Sequence, residues 1–276
     1  MDKMNLILIR KNPLSIPAIL AKELGIFKKY NIDVNLKVPY DFNFGSKSPF
    51  LENESDAMMG DLTFFFYMLD RGKRCIITSN LTRTISLVVS KRFDSKKEKI
   101  KFGVNRKGMF RLFLEDDLKD IVKKPEIIWI NNTYERMEAL KSGKIDGLVA
   151  IEPFITEMED YGFKKVWSLR ESKRNLVMWC FDEDYYIENK EAVKNFHKSL
   201  EEAKKIFNES TDKEKVEIGL KYAKYDTKEA ERLKEFEFEY GKNFELDDFN
   251  FCNEWMYKNN EIKNMYDGEK LIAKIF

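Results

Sequence analysis

Histidine and cysteine carry much of the acid, base, nucleophile and metal chemistry of proteins, and this chain has little of either. His197 is the only histidine. It falls inside a helical stretch beside Phe196, away from every expected turn, so a packed or exposed helical imidazole is expected. Reactions that need a His base, a His–Cys pair or a His metal cluster are unsupported. Cys75, Cys180 and Cys252 are far apart, odd in number and without a C-x-x-C spacing. They read as buried free thiols. No Walker loop, G-x-S-x-G or dinucleotide fingerprint occurs. No cofactor and no metal is expected.

Turns that open helices remain. Gly60-Asp61-Leu62-Thr63 follows a short strand. Gly60 permits close backbone approach, and Asp61 is either a ligand acceptor or a helix cap. Thr63 adds a hydroxyl. A second turn, at residues 105–109, holds Asn105, Arg106 and Gly108, with Arg111 one helical turn on. Exposed N–H groups and added positive charge suit an anion there, and a solvated basic turn is the alternative. A third, Glu152-Pro153, has a proline that suits a first helical position, beside an acid that either meets a ligand or sits on the surface. Asn12 ends the first strand and is a cap or a ligand contact. Thr82 and Arg83 precede a crossover strand, and the Arg83 fork suits a carboxylate, sulfonate or phosphate. Trp179 either stacks on a flat ligand or fills core.

The elements that must position these residues follow from periodicity. An apolar run at 4–9 reads as a strand, 14–30 as an amphipathic helix, and 32–38 alternates as a strand. Strand 56–59 then feeds a helix ending near 70. Further strands are expected at 75–78, 85–90, 100–104, 126–130, 147–151, 163–168 and 175–181. Helices are expected at 109–122, 133–141, 153–161, 189–208, 211–224, 227–240 and 246–257. Trp129, Trp167 and Trp255 read as core. The two strands 85–90 and 175–181 bracket a middle β/α set. The chain thus reads as α/β with two lobes joined by two hinge crossovers and a helical tail: residues 1–88 plus 180–276 form a discontinuous first lobe, residues 89–179 a second, with a ligand cleft between. Two crossovers permit hinge closure. Residues 54–69 and 144–158 form a weak internal repeat, each with an Asp, a small residue, an apolar strand, an acidic turn and an apolar helix.

Composition limits the function classes. In 276 residues the formal net charge is +1 and no basic block stands out, so nucleic acid is not indicated. Charged residues reach 35%, mostly Lys and Glu, and Gln is absent. Proteins working hot show that bias, as does an AT-rich coding sequence. The apolar run at the N-terminus is too short for a signal peptide or membrane span. A cytoplasmic protein is expected as written, or an extracytoplasmic one if an export segment was removed; a monomer is expected.

Three stretches resemble a known group: PAILAKELGIFKKYNIDV at 17–34, EALKSGKIDGLVAIEPF at 138–154, and residues 182–204. Across roughly residues 4–207 the chain resembles the type 2 periplasmic-binding-protein superfamily, and within it the substrate-binding proteins of ABC importers for sulfonates, nitrate and thiamine-pyrimidine precursors. The resemblance implies a two-lobe fold closing on a small anionic or zwitterionic ligand, with an ABC permease as partner. It also implies a cleft position for Glu152. The second lobe departs from the pattern, since Val104-Asn105-Arg106-Lys107-Gly108-Met109 stands where the family has a small Ser/Thr-bearing glycine turn. Related pyrimidine synthases use a first-lobe His and a cysteine-rich motif, both missing here. The alternatives are a cytoplasmic enzyme on this fold, such as a chorismate dehydratase-like menaquinone-pathway enzyme, or a cytoplasmic ligand sensor.

Overall fold

A computed structural model describes residues 2–39, 48–96, 99–105, 108–122 and 125–276. Among the described residues, ten strands form two five-stranded sheets. The strands are β1 (Asp2–Ile7), β2 (Ile32–Lys37), β3 (Ala57–Asp61), β4 (Cys75–Asn80), β5 (Ser86–Val89), β6 (Ile100–Val104), β7 (Pro125–Trp129), β8 (Gly147–Ala150), β9 (Lys164–Ser168) and β10 (Val177–Asp182). The first sheet runs β2-β1-β3-β10-β4 and the second β7-β6-β8-β5-β9. In β2 the β-branched Ile32 and Val34 turn inward while Asn35 faces out, as period-two alternation requires. The central strands β5 and β8 are buried throughout and read as continuous apolar runs.

The two sheets share one topology. In each, three strands are parallel and a fourth is antiparallel, paired between the third and the fifth. That fourth strand is exchanged. β5 follows the first lobe's β4 but enters the second sheet, and β10 follows β9 but enters the first. The crossovers therefore lie between Asn80 and Ser86 and between Ser168 and Val177. Residues 88 and 179, the expected lobe boundaries, fall inside β5 and β10. Even the irregularities match, with register shifts at Trp179/Cys180 against β4 and at Leu87/Val88 against β9.

The first lobe packs helix Ile16–Glu23 against helix Lys190–Glu209. There Phe196 meets Phe27, Trp179 and Phe181 at ring separations of 5.8, 5.2 and 5.4 Å. Helix Leu62–Asp70 packs on helix Leu246–Lys258, with Phe66 and Phe249 centroids 4.8 Å apart. Several expected helices break early. The 14–30 helix divides at Gly25, whose φ of 71° only glycine adopts without strain. The helix expected over 109–122 ends at Glu115. The one expected over 227–240 is Thr227–Glu231 followed by a single 3-10 turn, Arg232–Glu235. Trp129, expected in the core, is 41% exposed because it ends the edge strand β7.

Candidate functional site

The functional candidates lie where chain leaves strand for helix at the facing ends of the two sheets. β3 ends on Asp61, which caps helix Leu62–Asp70. Its carboxylate accepts the Phe64 N–H at 3.0 Å and the Thr63 hydroxyl. A carboxylate accepts about four hydrogen bonds, so capacity remains. Burial raises the Asp61 pKa above its ordinary value. Opposite stand Asn105, just past β6, and Gly108, whose φ is 143°. A Cβ on Gly108 would meet the Asn105 amide at 2.5 Å, so the close approach excludes a side chain there.

These residues line one cavity of about 320 Å³. Asp61, Thr63, Phe64 and Tyr67 come from the first lobe, with Arg71 at an exposed position. Asn105, Gly108, Met109 and Phe110 come from the second. Three aromatic rings with a few polar groups is the usual composition of a small-molecule site, and the volume is at the lower end of that range.

A second cavity, about 570 Å³, shares no lining residue with the first. It is walled by the crossover residues Arg83, Ser86, Ser168 and Arg170, by Glu152, Thr156 and Asp160 of the second lobe, and by Lys228, Arg232, Phe236 and neighbouring residues of the tail. Glu152 accepts the Thr156 hydroxyl at 2.7 Å and the Thr156 N–H at 3.3 Å. Burial raises its pKa. Glu152, Thr156, Arg232 and Phe236 also line a recess of about 50 Å³ reaching Tyr225 and Pro13.

Asp61, Thr63, Asn105 and Gly108 thus share the first cavity, and Arg83 and Glu152 the second. Gly60 stands in β3, where an added Cβ would meet the Met58 methyl at 2.6 Å. The other expected contacts have partners of their own. Asn12 caps a 3-10 turn by accepting the Leu14 N–H at 3.0 Å. Thr82 is buried and its hydroxyl accepts the Glu239 N–H at 3.1 Å. Arg83 gives Nε to both Glu239 oxygens at 3.1 Å and Nη1 to the Ser172 carbonyl at 3.0 Å. Its guanidinium is thus held by the tail's Glu239 and by Ser172 of the second crossover. Arg111 bonds Glu115 at 2.6 Å, Asn259 at 2.8 Å and Glu261 at 3.3 Å. Trp179 is 2% exposed and packs edge-on against Phe196, so it fills core. Arg106 lies outside the described residues.

Residue-by-residue reading missed Phe64, Tyr67 and Phe110 as cavity walls. The run Phe64-Phe65-Phe66-Tyr67 reads as packing, and Phe65 and Phe66 are indeed fully buried. Helical spacing carries the signal, because Phe64 and Tyr67 are three apart and share a face. His197 is 1% exposed, with Nε2 2.9 Å from the Thr78 hydroxyl. It and the three buried cysteines line none of these cavities.

No family model matches the chain, and no curated protein matches it by sequence. Solved structures do. The chain is similar to the periplasmic aliphatic sulphonate binding protein SsuA from Escherichia coli, with a TM-score of 0.80 and 10% identity over 99% of this chain and 92% of that one. The chain has the type 2 periplasmic-binding-protein fold. A ligand-binding component of an ABC-type import system from Staphylococcus aureus, solved with zinc bound, shares this fold at a TM-score of 0.77 and 13% identity, over 99% of this chain and 97% of that one. The desulfurization enzyme DSZB shares it at a TM-score of 0.66 and 13% identity, over 99% and 97%. The periplasmic-binding-protein fold therefore accommodates both carriers and catalysts. The site must decide between them.

Proposed function

We propose that this protein is a solute-binding protein whose lobes close on a small zwitterionic or anionic molecule, delivered to an ABC-type permease. The cavity between Asp61 and Asn105 carries the reading. Its walls come from both lobes, so a ligand seated there contacts both and favours the closed arrangement. Asp61 suits the ammonium or hydroxyl end of a solute. Arg71, with no carboxylate partner among the described residues, suits its acidic end. Phe64, Tyr67 and Phe110 suit an apolar body between them. The import role draws on the similar carriers, and an extracytoplasmic location goes with it. The enzyme reading has less support here, because His197 and the cysteines are turned into the core.

The test is a thermal-shift screen of amino acids, sulfonates, aromatic amines and carboxylates, followed by small-angle scattering with any hit. A binder should raise the melting temperature by mass action and shrink the radius of gyration. Asp61→Asn keeps a good helix cap while removing charge, so it should retain stability and bind an amine-bearing hit about tenfold more weakly. A hit whose affinity ignores Asp61→Asn and that causes no compaction would sink the reading.

A further inference from the structure

The recess beside Glu152 has a feature the Asp61 cavity lacks: buried donors with nothing to bond. Tyr225 is 7% exposed, and its hydroxyl has no hydrogen-bond partner among the described residues. The buried Nε of Arg232 is likewise without an acceptor, although its Nη2 pairs with Asp160. Both residues line the recess. Glu152 and Glu229 line it as well. Buried polar groups are nearly always satisfied, and an orphan in a native fold calls for an explanation. Two orphan donors, both on residues that line these 50 Å³, call for an acceptor of two or three heavy atoms. The recess adjoins the 570 Å³ cavity, with Glu152, Thr156, Arg232 and Phe236 lining both, which gives a neighbouring space for a body attached to that acceptor.

We propose that the Tyr225–Arg232 recess is a second interlobe ligand site that takes the carboxylate end of a small organic acid, its body lying in the adjoining cavity. A carboxylate offers two coplanar oxygens, one for the Tyr225 O–H and one for the Arg232 Nε–H. Lys11, already 3.6 Å from Glu229, adds positive charge at the wall. Glu152 and Thr156 come from the second lobe and Tyr225 and Arg232 from the first lobe's tail, so an occupant links the lobes. The proposal rests on the solute-binding reading but not on the Asp61 cavity.

The test pairs Tyr225→Phe and Arg232→Lys with titration calorimetry. The probes are succinate, glutarate and benzoate, each matched with its primary amide. At least one acid should bind the wild type, its amide should bind at least tenfold more weakly, and Tyr225→Phe should cost about tenfold or more. Tyr225→Phe removes only an unbonded hydroxyl, so the ligand-free protein should melt no lower than wild type, a result that separates lost recognition from lost folding. Arg232→Lys should weaken the same acid, because it keeps the charge and loses Nε. Equal affinity for acid and amide, unchanged affinity in both variants, or a crystal structure with acid showing only ordered water in the recess would each overturn the proposal. If Asp61→Asn abolishes binding of a hit while Tyr225→Phe leaves it alone, the solute-binding reading stands and this second site falls. If none of these acids binds, the second site falls, and the solute-binding reading is decided separately by the thermal-shift screen and Asp61→Asn.

Discussion

At the residue scale, Arg83 and His197 show how partners decide what a reactive side chain does. Arg83 is chemically suited to an oxyanion, yet Glu239 from the tail already supplies one. Arg83→Ala should therefore lower stability by about 1 kcal/mol, a modest figure for a partly exposed pair. It should change the affinity for a ligand of the Asp61 cavity little, since Arg83 does not line that cavity, and urea unfolding beside ligand titration checks this. His197 is more deeply committed. Burial pushes its pKa down to about 3. The unfolded chain then takes up the proton first, near 6.5, so the stability from neutral His197 is complete above pH 6.5 and is lost as pH falls towards 3. The slope is about 1.4 kcal/mol per pH unit. Asp61 and Glu152, raised by burial, act in the opposite sense. Comparing melting temperature against pH for wild type and His197→Gln cancels them, and the wild type should lose more stability on acidification. Parallel curves would contradict the buried, neutral imidazole.

At the element scale, the internal repeat of 54–69 and 144–158 has a physical basis. Asp56 and Asp146 do the same work in the two lobes. The Asp56 carboxylate accepts the Asn5 N–H of β1 at 2.6 Å, and Asp146 accepts the Lys101 N–H of β6 at 2.9 Å. Their backbones match as well, each carbonyl taking the N–H that closes the exchanged strand, Asp182 and Ser90 respectively, at 2.9 Å. The small residue after each Asp, Ala57 or Gly147, is itself buried and opens a strand, β3 or β8. In β8 that residue is Gly147, where a Cβ would meet Phe102 at 2.6 Å and the Val88 carbonyl at 3.1 Å. Gly147→Ala should thus cost about 1–3 kcal/mol, read from the urea midpoint, and a neutral result would mean that the second sheet yields more easily than its packing suggests. The edge of β4 is covered rather than open. Ile272 bridges Ile77, and the Ala273 N–H bonds the Ile77 carbonyl at 2.8 Å. The cover explains why an edge strand is buried along its whole length.

At the scale of the whole molecule, the lobes are joined by more than two crossovers. Arg111 of the second lobe bonds Asn259 and Glu261, and Glu261 in turn accepts the Tyr67 hydroxyl at 2.5 Å. Asp160 meets Lys228 at 2.7 Å and also Arg232. Ion pairs at the rim are screened as the Debye length falls from about 10 Å at 0.1 M salt to about 3 Å at 1 M. Ligand-free protein should therefore open, with a larger radius of gyration by small-angle scattering, as sodium chloride rises over that range. Arg111→Ala should open it at low salt. A radius indifferent to both would mean that the rim pairs do not hold the lobes together.

Local pattern and tertiary structure determined different things. Alternation in β2, apolar runs in the buried strands and cap residues before helices are properties of neighbours in sequence. The α/β class, the two lobes and the Asp61, Asn105 and Glu152 turns were legible from them. Turn residues such as Asp61 and Asn105 are legible because strand ends and helix starts must place them at the sheet edge. Which arginines meet ligand is not legible in this way. Glu239 and Glu261 lie more than a hundred residues from Arg83 and Arg111, and only the folded tail brings them close. The exchange of β5 and β10, the aromatic wall of the Asp61 cavity and the unbonded donors at Tyr225 and Arg232 are likewise products of long-range packing. Such contacts depend on how the tail helices seat against both sheets, and no window of local sequence holds that information.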